Sequence, residues 1–162
     1  MGKKEAVMKG QKPVIVTLND LLADELSAIN QYMVHSEMCK SWGYGKLHEI
    51  IEKRAIEEMK HGEILIGRIL FLEGQPIVTN LKTIHIGEDV FKQLDSDRRF
   101  ENEAIVKYNQ AIALMSKIGD NGTKTLLEKI LADEEKHLDE LEEQLDQIKQ
   151  MTLPHYLSGQ RE

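Results

Sequence analysis

One cysteine in 162 residues rules out an internal disulfide, and a lone thiol at Cys39, inside a helical stretch, reads as a small buried hydrophobe rather than a nucleophile. Only three prolines occur, and between Thr17 and Ile148 just Pro76 interrupts the chain. No run approaches the ~18–20 uninterrupted apolar residues that a membrane span needs, so a spanning helix is excluded. The first residues carry Lys3, Lys4 and Lys9 but no apolar run and no small-residue cleavage site. We read residues 1–9 as a disordered extension rather than a secretory signal, and together with the single cysteine this makes the cytoplasm the expected compartment. Positive charge is also scarce: the formal net charge is −7, and no cluster of Lys and Arg breaks the acidic stretches. Phosphate binding requires such a cluster, so nucleic acid is excluded and metal cations are the more natural partners.

What is present is helix-forming sequence. Leu, Glu, Lys, Ile and Ala recur with a period near 3.6 between Thr17 and Ile148. Breaks at Gly43-Tyr44-Gly45, between Gly74 and Gly87, and at Gly119-Asp120-Asn121-Gly122 divide the chain into long helices near 18–42, 46–73, 89–118 and 122–149. The first and third connections suit antiparallel neighbours, whereas the second is long enough to traverse a bundle from end to end. The spacing thus predicts an all-α, single-domain four-helix bundle over residues 10–162 with one long crossover. Pro154 can start a short fifth helix carrying His155, Tyr156 and Leu157, which a monomeric bundle would not need and which suggests packing between subunits.

Each long helix has an apolar stripe, and on each stripe an ionisable residue replaces an expected Leu or Ile. On the fourth helix the series Leu127, Ile130, Glu134, His137, Leu141, Leu145, Ile148 contains a carboxylate and an imidazole. On the second, Glu58 and His61 interrupt Leu47, Ile51, Leu65 and Leu72. Glu25 lies between Leu21 and Ile29, and Glu101 between Leu94 and Ile105. Four acids aimed into one core require a compensating charge, because an unpaired buried carboxylate costs several kcal/mol. No Lys or Arg on those stripes supplies it, and metal ions can. Two single Glu residues with two Glu-x-x-His pairs form the ligand set of dinuclear carboxylate bundles, and oxygen-rich ligands with one His per ion favour iron or manganese over structural zinc.

The spacing repeats. The interval from Glu25 to Glu58 is 33 residues, as is that from Glu101 to Glu134, and an offset of 76 relates Glu25 to Glu101, Glu58 to Glu134, His61 to His137 and Tyr32 to Tyr108. Two similar half-sites around one dinuclear centre follow, with each Tyr two helical turns beyond a single Glu and placed to donate to a metal-bound carboxylate.

The segments Asp24-Glu25-Leu26-Ser27-Ala28-Ile29-Asn30-Gln31-Tyr32, Glu57-Glu58-Met59-Lys60-His61, Ile86-Gly87-Glu88-Asp89 and Asp133-Glu134-Glu135-Lys136-His137 resemble bacterioferritin, as does Arg68-Ile69-Leu70-Phe71-Leu72-Glu73-Gly74. The similarity runs from about Met8 to Leu157. It implies a ferritin-like fold, a ferroxidase centre whose ligands are Glu25, Glu58, His61, Glu101, Glu134 and His137, and storage of ferric mineral inside a shell of 24 subunits built from dimers. Fe2+ is the implied substrate, with dioxygen or hydrogen peroxide as oxidant and a ferredoxin-type donor for iron release. The resemblance also implies haem b at a two-fold subunit interface. Met59, one residue after Glu58 and therefore turned ~100° away from the core, is the expected haem ligand. Two departures stand out: residues 1–7 precede the usual family start, and Leu65 occupies a place near the site where an aromatic is frequent.

Two rival classes fit less well. A di-iron oxygenase or peroxidase acting on an organic substrate needs a pocket that the bundle does not obviously build, and a rubrerythrin-like peroxidase needs a Cys-rich iron domain that one cysteine cannot supply. A DNA-protecting shell protein would place its ligands across a subunit interface and use a basic tail. The remaining histidines, His35, His48, His85 and His155, are expected at the surface or at interfaces rather than as ligands.

Overall fold

The computed structural model describes residues 10–162, so the extension expected over 1–9 lies outside the described residues. Five helices follow in order: α1 (Lys12–Ser41), α2 (Gly45–Phe71), α3 (Val90–Ile118), α4 (Asn121–Met151) and α5 (Leu153–Ser158). α1 begins at Lys12 rather than near 18, because Pro13 sits in its first turn, where a missing N–H leaves no intrahelical bond unmade. Asp89 caps α3 by accepting from the Lys92 N–H at 2.8 Å, and Asp120 caps α4 by accepting from the Thr123 N–H at 3.0 Å. Gly43 and Gly119 end α1 and α3 in the left-handed region, with φ of 84° and 86°.

α1 pairs with α2 and α3 with α4 as antiparallel hairpins, and the connection from Leu72 to Asp89 returns along the bundle between them. That connection forms no helix or strand, so its backbone needs other partners. α1 supplies them from one row of polar side chains. Asn19 accepts from the Ile77 N–H (2.8 Å), Ser27 from Lys82 (2.8 Å), Gln31 from His85 (3.0 Å) and His35 from Gly87 (3.0 Å).

His35 corrects the surface expectation, since it is wholly buried. Its Nε2 accepts from Gly87, so the proton sits on Nδ1 and is donated to Asp97 Oδ1 at 2.8 Å, which Gln31 Nε2 also reaches at 2.8 Å. His35→Leu leaves both the Gly87 N–H and the Asp97 carboxylate without that partner. It is expected to destabilise the protein by roughly 2–4 kcal/mol, whereas exposed His85→Ala should change stability by less than about 0.5 kcal/mol. Thermal unfolding of the two variants checks this.

The fifth helix packs on its own chain. Tyr156 is buried against the second apolar cluster and donates to Gln144, and the Lys46 N–H reaches the Gln160 carbonyl at 3.1 Å. α5 therefore closes the bundle end beside the α1–α2 turn, an intrachain role that the sequence reading did not assign.

The core is split in two. One cluster gathers Leu18, Leu22, Leu65, Ile69, Met115 and Leu127, and the other Tyr32, Leu47, Ile51, Leu94, Leu141 and Tyr156. Cys39 belongs to the second cluster, and burial pushes its thiol up to about 12, as expected of an inert hydrophobe. Between the clusters runs a polar layer.

Candidate metal centre

That layer is made by the residues that break the apolar stripes. Glu25, Glu58, His61, Glu101, Glu134 and His137 are all buried, and their ligand-type atoms form two overlapping groups. Glu25, Glu58, His61 and Glu134 make one, Glu58, Glu101, Glu134 and His137 the other, each with its atoms within 4.8 Å of one another. Glu58 and Glu134 are common to both, so the arrangement is two cages sharing two carboxylates. Each pair sits on one helix face because residues three apart are neighbours there.

His61 Nδ1 lies 2.9 Å from both Glu58 Oε2 and Glu134 Oε1 and 3.7 Å from Glu25 Oε2. His137 Nδ1 lies 2.9 Å from Glu58 Oε1 and 3.6 Å from Glu101 Oε1. Nevertheless Glu58 Oε1, Glu101 Oε2, Glu134 Oε1 and His137 Nδ1 are buried without a hydrogen-bond partner among the described residues. Lone pairs converging in this way, close but out of line for hydrogen bonds, are what a bound cation would satisfy.

The outer nitrogen of each imidazole is fixed from the opposite helix. His61 Nε2 donates to Asp133 at 3.0 Å, and His137 Nε2 donates to Glu57 at 2.7 Å. Carboxylates there hold the ring orientation and leave Nδ1 for the centre. Asp133 and Glu57 are themselves related by the offset of 76, a pair the sequence reading missed because both look like solvated charges beside their ligand-type neighbours. The two tyrosines donate crosswise, Tyr32 to Glu101 and Tyr108 to Glu25.

Electrostatics follow from crowding. Burial, then the charges of Glu101 and Glu25, raise Glu58 well above the usual carboxylate range, and burial with the charges of Glu25, Glu101 and Glu58 does the same to Glu134. Burial alone would lower His61, but contacts with Glu134, Glu25 and Glu58 raise it. Burial would raise Glu101 too, yet contacts with Glu134, His137 and Tyr32 hold it at about 2. Without a metal the layer must retain protons, and a divalent cation would replace them.

Met59 lies outside this layer, 45% exposed on α2, with Ile56 exposed one turn before it. Glu37, His48 and Glu52 also come within 4.8 Å of one another, on the surface at the α1–α2 turn.

Paired antiparallel helix hairpins, a long crossover and a carboxylate–histidine layer between two apolar clusters define a ferritin-like protein. A family model described as a ferritin-like domain matches residues 15–151. The bacterioferritin of Brucella melitensis is 42% identical over 86% of each chain, and that of Mycolicibacterium paratuberculosis 39% identical over 92% of this chain and 94% of its own. A bacterial ferritin of Synechocystis is 40% identical over 94% of this chain and 99% of its own. The chain belongs to the bacterioferritins, a family of iron-storage proteins.

Proposed function

We propose that this chain oxidises Fe2+ at the buried layer and stores the ferric product inside a closed shell. The observation that carries the reading is the pair of overlapping cages, each with one private Glu, one His and the two shared carboxylates. In it Glu25 and His61 bind one Fe2+, Glu101 and His137 bind the other, and Glu58 and Glu134 bridge them. Two adjacent substrate ions release two electrons together, reducing dioxygen to hydrogen peroxide, or peroxide to water, with two protons taken up. Asp133 and Glu57 hold the imidazoles in place, and Tyr32 and Tyr108 hold Glu101 and Glu25.

Storage needs a compartment. Large apolar side chains including Val16, Trp42, Phe71, Val78, Leu81 and Phe91 are exposed on the single chain, which suits burial between subunits. A 24-subunit shell built from dimers is the assembly we assign, with a ferredoxin-type donor for iron release. Haem b fits at a two-fold interface, where an exposed thioether at Met59 and the exposed apolar Ile56 one turn before it are available. A cavity of about 590 Å³ is lined by Gln31 of α1 and by residues of the crossover and α3, and by none of the six centre residues, which gives an organic-substrate oxygenase little support.

Stopped-flow addition of Fe2+ under air to the assembled protein tests the reading. The fast phase should saturate at two Fe2+ per chain, one for each cage. Sedimentation should show a particle of roughly 450 kDa, as expected for a closed point-group assembly of 18.6 kDa chains. A stable monomer, or a fast phase that ignores the two-ion stoichiometry, would refute it.

A further inference from the structure

The offset of 76 maps the two halves of the centre onto one another, including Glu25 and Glu101, His61 and His137, Glu57 and Asp133, and Tyr32 and Tyr108. The same offset maps Arg54 onto Ile130. Both are buried, at 3% and 1% exposure, and each lies one helical turn before its bridging carboxylate, Glu58 or Glu134. One half of the centre thus has a cation in its wall where the other has an aliphatic side chain.

The guanidinium is poorly neutralised. Its central carbon lies 5.8 Å from the centroid of the Tyr32 ring, and Nε and Nη1 have no hydrogen-bond partner among the described residues. Among the described residues the only carboxylate in ion-pair range is Glu140, 3.9 Å from Nη2 and itself 43% exposed, where solvent screens the attraction. Arg54 also lines a cavity of about 220 Å³ between α2 and α4, together with Lys53, Glu57 and Lys136, and Glu57 is the carboxylate that holds His137. The charge lies on the Glu101/His137 half: the ring it faces is that of Tyr32, which donates to Glu101, and Glu57 beside it holds His137. Asp97, the other buried charge on this side, is held at Oδ1 by His35 and Gln31 and forms no ion pair with Arg54 among the described residues.

We infer that Arg54 makes the two metal positions unequal, so that the Glu25/His61 half takes the first divalent cation and the Glu101/His137 half takes the second, more weakly. This rests on the dinuclear reading above. Its consequence is a threshold. Two-electron oxidation waits for the weaker position to fill, so a chain holding a single Fe2+ keeps it until the second arrives. Arg54 is a positioning residue in this sense: it touches neither ion and sets the order in which they bind.

The test uses Co2+, which air does not oxidise under these conditions, on the assembled metal-free protein. Wild type should bind two Co2+ per chain in two resolved steps. Arg54→Met, which matches the aliphatic wall of the other half, should tighten the second step by on the order of tenfold or more, as a unit charge removed from a low-dielectric wall requires. Arg54→Lys should keep the steps apart. Crystals soaked with less than one Co2+ per chain give an independent reading that needs no variant: the anomalous signal should lie at Glu25/His61. A signal first at Glu101/His137, or equal steps in wild type and Arg54→Met, would overturn the inference while leaving the dinuclear centre standing. Failure of wild type to bind Co2+ at all at these residues would overturn both.

Discussion

Glu101→Ala is expected to slow the fast phase of Fe2+ oxidation by roughly a hundredfold or more, given that loss of an outer partner of a metal ligand already costs about 10–100-fold. Glu101 is private to one cage, so its removal empties the Glu101/His137 position and leaves the other with its four residues. One ion can bind there, but it has no neighbour with which to deliver two electrons. Shell assembly should be unaffected, because Glu101 is buried inside its own bundle. Stopped-flow oxidation, with sedimentation as the control, reads both. A second substitution separates ligand loss from damage to the fold. Glu58→Gln removes a shared carboxyl whose ionisation is opposed by burial and by Glu101 and Glu25. Metal-free, this variant should be at least as stable as wild type, because a neutral amide replaces a group that is costly to charge. With Co2+ present wild type should gain stability, and Glu58→Gln should gain much less. Fast oxidation at the wild-type rate in either variant would remove these residues from the centre.

Much of this architecture was legible in the sequence, for a physical reason. Long helices with few prolines leave the apolar stripe as the main variable, and a buried acid is conspicuous on such a stripe. The six interrupting residues are the ones the fold brings together. What escaped was whatever depended on the opposite helix. Asp133 and Glu57 look like solvated neighbours of Glu134 and Glu58, and only the packing of α2 against α4 shows that each holds the other helix's histidine. His35 was misplaced for a related reason. Asn19, Ser27, Gln31 and His35 lie on one face of α1 at multiples of four residues, a polar row that has no purpose until the crossover is laid along it. The sequence shows the crossover's length but not where its backbone finds partners. The inequality of the two halves was hidden differently: Arg54 reads as one charge among many until burial and the offset from Ile130 are seen together.

Met59→Leu is expected to abolish haem binding while leaving Fe2+ oxidation intact. Met59 follows Glu58 directly, so when Glu58 faces the core the thioether is turned ~100° around the helix, toward the outer face. There it is 45% exposed, with the exposed Ile56 one turn away on the same helix. Unbranched Met commonly fills gaps in cores, so an exposed one on an apolar face invites a partner. A thioether is a soft ligand suited to haem iron, and a single one per chain supplies both axial positions only when a two-fold axis brings in the second copy. The purified protein should then show a Soret band equivalent to about one haem per two chains, as two-fold symmetry requires. Leu keeps the apolar volume and removes the sulfur, so in the variant the band should disappear and fast Fe2+ oxidation should continue, since the two cages do not include Met59. A Soret band that persists in Met59→Leu would place the axial ligand on another residue and detach haem from this face of α2. Loss of oxidation along with the band would instead mean that the outer face of α2 and the buried layer are not independent.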